Sequence, residues 1–420
     1  MKKYIIIIIA VLISHSLINA QNVDMHGYAR SYFGTLTEQD GKYSVLQNTF
    51  NFELSLSNDN SAFYINPYLY QYTEKETKLN LREAYIDFHF GKNFATRVGK
   101  QQIIWGKADG VFITDIISPK NLSEFLLPDF EEIRIGITSV KMDYYSGNST
   151  LELVLIPQFQ PTIFADENSI WSPQQPKITM TIPPGFQLQK NVDYSRNSVE
   201  ASLKNSEIAG KYSYLSGIID FEIMGGYLWD DNPTLHTIKA INPINKVLNV
   251  TVRPEYHRLS MGGGSFSTSI YGWVIRGEGA YYQGRNFMSL DPLANEGVVE
   301  KNYLHYLVGI DYNILGVDVS AQYMEERILD YADYIYQDEV QKTATFLTNQ
   351  DFLNETLFLS CLIYYGFNQS DALIRPKITY KYSDGLEVMV GANFLVGDGV
   401  GMFGQYYKND MVYSKIKYSF

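Results

Sequence analysis

Few residues of this chain are placed to do covalent chemistry. Of its six histidines, His15 stands in the amino-terminal hydrophobic run, which leaves His26, His89, His236, His257 and His305. Only Asp87 and His89 have the spacing of an acid–base pair, since alternate residues of a strand point the same way. Two residues along a strand span about 6 to 7 Å, too far for a direct hydrogen bond, and no serine stands beside them as a nucleophile. No two histidines share ligand spacing on one face, so the spacing predicts no metal site. Gly262-Gly263-Gly264 follows a strand pattern without opening a helix and predicts a bulge or bend in place of a phosphate cradle. Cys361, the single cysteine, lies in the apolar run Leu357 to Tyr365 and has no disulfide partner. The expectation is a protein that is not an enzyme and carries no cofactor.

A different chemistry rests on ionisable residues that alternate with apolar ones. Glu83, Asp87 and His89 share one side of a strand pattern, Arg97 falls on the next strand, and Arg276, Glu278, Arg375 and Lys377 follow later. Set around water, facing rows of acids and bases create a transverse field that orders the solvent and selects solutes. The same residues also suit salt bridges that only stiffen a wide polar interior. The sequence leaves both readings open.

The strands that must carry them are written as period-two patterns. At the carboxyl terminus Val412, Ile416, Tyr418 and Phe420 share one face, and Lys415, Lys417 and Ser419 the other. Ile374, Pro376, Ile378, Tyr380 and Tyr382 oppose Leu373, Arg375, Lys377, Thr379 and Lys381 in the same way, and Leu386 to Val396 repeats the alternation. An arginine or lysine facing lipid at mid-bilayer costs about 2 to 4 kcal/mol, so Arg276, Arg375 and Lys377 must face the lumen or a rim. The 34 tyrosines and 23 phenylalanines fit the aromatic girdles at the two surfaces of an outer membrane. Every apolar stretch after the leader is broken by a charge or turn residue, which excludes a helical membrane protein. The last strand, with Ile416, Tyr418 and Phe420, resembles the signal by which outer-membrane barrels are handed to their assembly machinery.

The ends and connections complete the plan. Lys2 and Lys3 precede the apolar run Ile5 to Ile13, and Ile18-Asn19-Ala20 offers a cleavage point, so residues 1–20 read as a secretory signal peptide. No cysteine near that point supplies a lipid anchor. Loss of the two lysines makes the formal charge of −12 more negative by two, which argues against nucleic acid as a partner. Short turns at Gly91-Lys92-Asn93, Ser146-Gly147-Asn148, Ser216-Gly217, Leu315-Gly316, Leu353-Asn354 and Ser383-Asp384-Gly385 alternate with long stretches at 104–130, 159–200, 231–248, 284–301 and 397–407. Short periplasmic turns and long outer loops would put both termini in the periplasm. The pattern predicts an all-β, transmembrane antiparallel barrel of about 18 strands, range 16 to 18. Residues 21–420 are expected to form this one domain as a monomer among outer-membrane lipids, with no room for a plug before the alternation starts at His26.

The stretch from Trp105 to Phe130 is too apolar for a free loop. Asn121 followed by Glu124 predicts a short helix near 120–127. Phe125 and Leu127 need cover, so the stretch is expected to fold inward as a constriction, with Trp105, Asp109, Phe112, Asp115, Phe125, Leu127 and Asp129 as its candidate residues. A loop that caps the outer mouth is the alternative.

Arg97-Val98-Gly99-Lys100-Gln101 with Ile104-Trp105-Gly106, followed by Asp109, Asp115, Pro119 and Leu127-Pro128-Asp129-Phe130-Glu131-Glu132-Ile133-Arg134, resembles a family of uncharacterised bacterial outer-membrane barrels. The likeness covers about residues 80 to 160, with the carboxyl-terminal third agreeing in outline. Its members are often encoded beside resistance-nodulation-division (RND) permeases and periplasmic lipid-carrier-like proteins. The resemblance therefore implies traffic of lipid-like or hydrophobic compounds in concert with an inner-membrane pump. A more distant likeness to alginate-export porins keeps a stand-alone diffusion porin for small polar solutes as the alternative. A surface adhesin or structural barrel is a third reading.

Overall fold

The computed structural model describes residues 22–72, 77–108, 110–174, 184–291 and 294–420. The signal peptide and Asp109 lie outside these residues. Eighteen antiparallel strands form one closed sheet. Each barrel strand pairs with its predecessor, and the first, Asn22–Leu36, closes the wall against the last, Met411–Ser419, in the register Tyr28↔Ser419 to Leu36↔Met411. Closure leaves no unpaired edge, the condition for a sheet to cross a membrane.

The distribution of side chains is inverted relative to a soluble barrel. Phe50, Phe88, Val98, Ile223, Phe346 and Val390 stand exposed on the outer wall, whereas Arg30, Asn51, Glu152, Glu278, Gln322 and Lys415 are buried on the inner one. Charged strand neighbours thus face the interior, as the cost of a charge in lipid demands.

All eight connections at one end contain two to four residues. Two of the three two-residue turns, at 271–272 and 315–316, hold both residues at positive φ: Tyr271 and Gly272 at 51° and 82°, Leu315 and Gly316 at 52° and 89°. That geometry matches the twist of the flanking strands. Both ends of the barrel chain lie at this short-turn end. The long connections, 102–136, 157–206, 230–257 and 397–410, gather at the other. There Thr234–Asn242 and Val247–Glu255 form a hairpin, and Gln187–Val192 adds to it in parallel.

Three local expectations are corrected. The helix near 120–127 is not formed: the Asn121 side chain accepts from the backbone and hydroxyl of Ser123, and Phe125 sits at φ 55°, which no right-handed helix admits. One helical turn forms later, at Phe130–Ile133. Gly262-Gly263-Gly264 keeps regular register with both neighbours and makes no bulge. A Cβ at Gly263 would stand 2.6 Å from the Gly279 carbonyl, so these glycines allow close strand approach. Half of the stretch 284–301 is strand, because Trp273–Met288 and Val298–Ile314 reach past the expected ends and leave a connection of 289–297.

Candidate functional site

The connection 102–136 lies in the lumen. Ile103, Trp105, Ile113 and Ile117 pack against Val154, Met224, Leu259, Tyr282 and Met324 on one arc of wall. Phe125 and Leu127 pack against Tyr32, Tyr364, Leu373 and Leu395 on another. Trp171, Phe403 and Tyr406 of two other long connections complete the second cluster, with the Tyr406 hydroxyl donating to the Trp171 carbonyl at 3.2 Å. Burial of these apolar groups out of water gives the loop its inward course.

Polar groups of the wall fix it there. Glu278 accepts from the amides of Lys107, Ala108 and Thr114 at 2.8, 3.1 and 2.6 Å and from the Thr114 hydroxyl at 2.7 Å. A Cβ at Gly106, whose φ is +87°, would stand 2.4 Å from Glu278 Oε1, so only glycine fits that approach. Arg276 donates to the Lys107 carbonyl and pairs with Asp311. Arg375 donates to the carbonyls of Leu126 and Leu127 at 2.8 and 2.7 Å. Within the loop Asp115 accepts from the Trp105 amide and pairs with Arg134 at 2.7 Å, and the Trp105 indole donates to Glu152 on the wall. Glu132 meets Arg30 at 2.9 Å and Arg82 at 3.8 Å. Asp129 stands 3.8 Å from Lys415, and Phe112 packs edge-on against Phe130.

The sequence-derived charges thus divide. Arg276, Glu278 and Arg375 grip the loop, and Glu83 accepts from the Gln102 amide where the loop leaves the wall. Arg97 forms a two-point pair with Asp87 at 2.7 and 2.9 Å and lies over the Tyr85 ring. His89 is exposed near a short turn, and Lys377 is half-buried. Ile416 and Tyr418 face outward, and the Phe420 ring stacks on Phe50.

Sequence reasoning missed the open part of the interior. A cavity of about 280 Å³ is lined by Phe112, Ile116, Lys120 and Leu126 of the loop together with Leu259, Asp230, Arg285 and Glu326. A second, of about 320 Å³, shares Asp230, Arg285, Tyr303 and Glu326 and continues to Leu235, Tyr336 and Gln337 of the long connections. At their junction Arg285 stands 3.4 Å from Asp230, with its guanidinium 4.3 Å from the Tyr303 ring centre. Tyr303 donates to Glu326, and His305 lines the deeper cavity with its Nε2 buried and unpartnered. Burial pushes the Asp231 carboxyl, in the 230–257 connection, well above its ordinary range, with Lys120 opposing. The assignment of 284–301 to a loop hid Arg285, and strict alternation from the outward-facing Tyr281 would have turned it toward lipid; the register shift between Tyr282 and Arg285, with Gly284 at φ +87°, brings it inside.

A further gathering forms at the long-loop end, where the sequence spacing predicted none. One ligand atom each of His236, Glu255 and Glu296 lies within 4.8 Å of the others, and His236 Nε2 is 2.8 Å from His257 Nε2.

A closed 18-stranded barrel, apolar outside and polar within, with one connection folded into its lumen, has the architecture of an outer-membrane β-barrel. Residues 38–420 match the family described as "Protein of unknown function (DUF1302)", and the chain belongs to that family. Comparison with curated proteins finds no match. Among solved structures the chain is similar to OccK2 (OpdF) of Pseudomonas aeruginosa, with a TM-score of 0.57 at 10% identity over 95% of this chain and 98% of that one. The structure of OccK2 in complex with glucuronate gives 0.56 at 9% identity over 95% and 98%. OccAB1 of Acinetobacter baumannii gives 0.56 at 10% identity over 95% and 96%. At these identities the likeness is one of fold.

Proposed function

We propose that this chain conducts hydrophobic or lipid-like compounds bearing a polar group across the outer membrane, in concert with an inner-membrane RND-type pump and a periplasmic carrier. The observation that carries this reading is the mixed lining of the cavity: Phe112, Ile116, Leu126 and Met402 offer apolar surface, and Lys120, Asp230, Arg285 and Glu326 charged groups. A molecule with an apolar body and a polar head matches both kinds of group, whereas a purely apolar one leaves the charged groups unmatched. The pump partnership draws on the family resemblance of the loop. In this reading the chain is a channel and not an enzyme, the long connections face the exterior, both termini face the periplasm, and Phe420 takes part in delivery to the assembly machinery.

The charged groups also favour the second reading, a stand-alone diffusion porin for small polar solutes. The glucuronate complex of OccK2 and the resemblance to alginate-export porins point the same way. Proteoliposomes loaded separately with a fluorescent amphiphile and with a sugar acid decide between them. Faster release of the amphiphile, increased by deleting residues 108–128, supports the first reading. Release of the sugar acid alone supports the second, and release of neither overturns both. In cells, loss of the gene is expected to raise bile-salt sensitivity if the pump partnership holds, and an unchanged barrier counts against it.

A further inference from the structure

His236 stands on the hairpin strand Thr234–Asn242, Glu255 ends its partner Val247–Glu255, His257 lies in the next connection, and Glu296 belongs to the separate connection 289–297. The hairpin register, with Thr234↔Glu255 and His236↔Arg253, brings the first three together, and Glu296 joins them from the connection that packs against Thr234–Asn242. The His236 imidazole is almost fully buried, at 7% exposure. Its two nitrogens have different surroundings. Nε2 faces His257 Nε2 at 2.8 Å, a distance that requires a proton on one of the two rings. Nδ1 lies 3.0 Å from Glu296 Oε2 but makes no aligned hydrogen bond. A buried ring nitrogen beside a carboxylate oxygen, off the hydrogen-bond line, has the spacing of two ligands on one ion. With metal–ligand bonds of roughly 2.0 to 2.2 Å, tetrahedral neighbours lie about 3.3 Å apart.

We infer that His236 Nδ1, Glu255 and Glu296 form a binding site for a divalent transition-metal ion of the zinc class, with His257 as the residue that positions His236. The protonation pattern follows from the geometry. His236 Nε2–H donates to His257 Nε2, which fixes the tautomer with a free lone pair on Nδ1; ligating histidines in general donate their other N–H to a partner in this way. Imidazole and carboxylate donors suit Zn²⁺, and a carboxylate retains lone pairs beyond those already engaged. Arg253 belongs to the same cluster. Its Nη2 reaches Glu296 Oε2 at 2.5 Å and its Nε stands 3.5 Å from Glu255 Oε2, so it holds the two carboxylates side by side. The ion takes carboxylate lone pairs left by that guanidinium, and Glu255 rotates to complete the set. A filled site ties the 230–257 connection to the 289–297 connection, beside the cavity bounded by Asn232, Pro233, Thr234 and Leu235.

The test uses the full barrel in detergent micelles, with any oligohistidine tag removed, and titrates it with Co²⁺ and then Zn²⁺. The expected result is one saturable site with the visible absorption of low-coordinate Co²⁺, which Zn²⁺ abolishes. His236→Gln and Glu296→Gln are expected to weaken binding at least about tenfold, and His257→Gln by about 10- to 100-fold as a supporting residue. His89→Gln, at an exposed histidine elsewhere on the barrel, leaves it unchanged. A heat-modifiable shift on gels shows that each variant is folded. No Co²⁺ spectrum, or equal affinities in wild type and His236→Gln, overturns the site. Neither readout depends on conduction, so the proposed channel stands or falls separately.

Discussion

Glu278 on the barrel wall accepts hydrogen bonds from both the amide and the hydroxyl of Thr114, at 2.6 and 2.7 Å, and so joins a strand to a loop 164 residues away in sequence. With the amides of Lys107 and Ala108 on its other oxygen, this carboxylate meets four donors while nearly fully buried. Glu278→Gln puts an amide NH₂ where two N–H groups already point. The expected loss is about 2 to 3 kcal/mol, read as a lower denaturant midpoint together with faster proteolysis of the 102–136 connection.

Arg375 is the second anchor, and the paired Arg97 provides the contrast. Arg375→Met leaves the Leu126 and Leu127 carbonyls without their donors and is expected to open the lumen, seen as a larger unit conductance in planar bilayers. Arg97→Met breaks the pair with Asp87, whose side chains are 29% and 19% exposed, and the contact over the Tyr85 ring, neither of which involves the loop. A pair so wetted contributes about 0 to 1 kcal/mol, and the conductance is expected to stay the same.

Trp105→Phe keeps a ring in the apolar cluster but removes the indole N–H from Glu152. An expected cost of about 1 to 3 kcal/mol in unfolding measures that lost donor. Trp105→Ala also empties the site and is expected to cost about 3 to 5 kcal/mol.

The orientation of the wall is checked on one strand, Val340–Phe352. Phe346→Arg places a guanidinium on the exposed outer face and is expected to cost about 2 to 4 kcal/mol when the protein unfolds from lipid vesicles. Asn349→Arg, on the opposite face of the same strand, is expected to cost little. Equal effects would refute the inverted wall.

Asp231 gives the pH dependence. Burial first of all, and after it Glu207 and Asp230, hold its carboxyl well above the ordinary range against the pull of Lys120. A folded value above the unfolded one means that the native state binds the proton more tightly. Its contribution to stability therefore falls as pH rises from the unfolded value of about 4 toward the folded one. Asp231→Asn removes this slope. Denaturant midpoints at pH 4 and pH 8 are expected to differ less in the variant than in the wild type.

The sequence by itself determined the barrel. Alternation is local, so Ile416 and Tyr418 against Lys415 and Lys417 already state which face meets lipid, and pairs such as Leu315-Gly316 state where a strand must turn back. It also marked residues 104–130, within the observed 102–136 connection, for an inward course, because their apolar content needs cover. Other features were decided only by the tertiary structure, because they depend on contacts between residues far apart in the chain. Asn121 could have opened a helix, but its side chain closed a turn, and the partners of Arg375 and Glu278 emerged only once the loop lay across the lumen. The cavity at Arg285 and the cluster of His236, Glu255, His257 and Glu296 arise from strand register and loop packing, which no local spacing encodes. A closed wall brings residues 100 or more positions apart within a few ångströms, and that closure determines which charges anchor the loop and which line the cavities beside it.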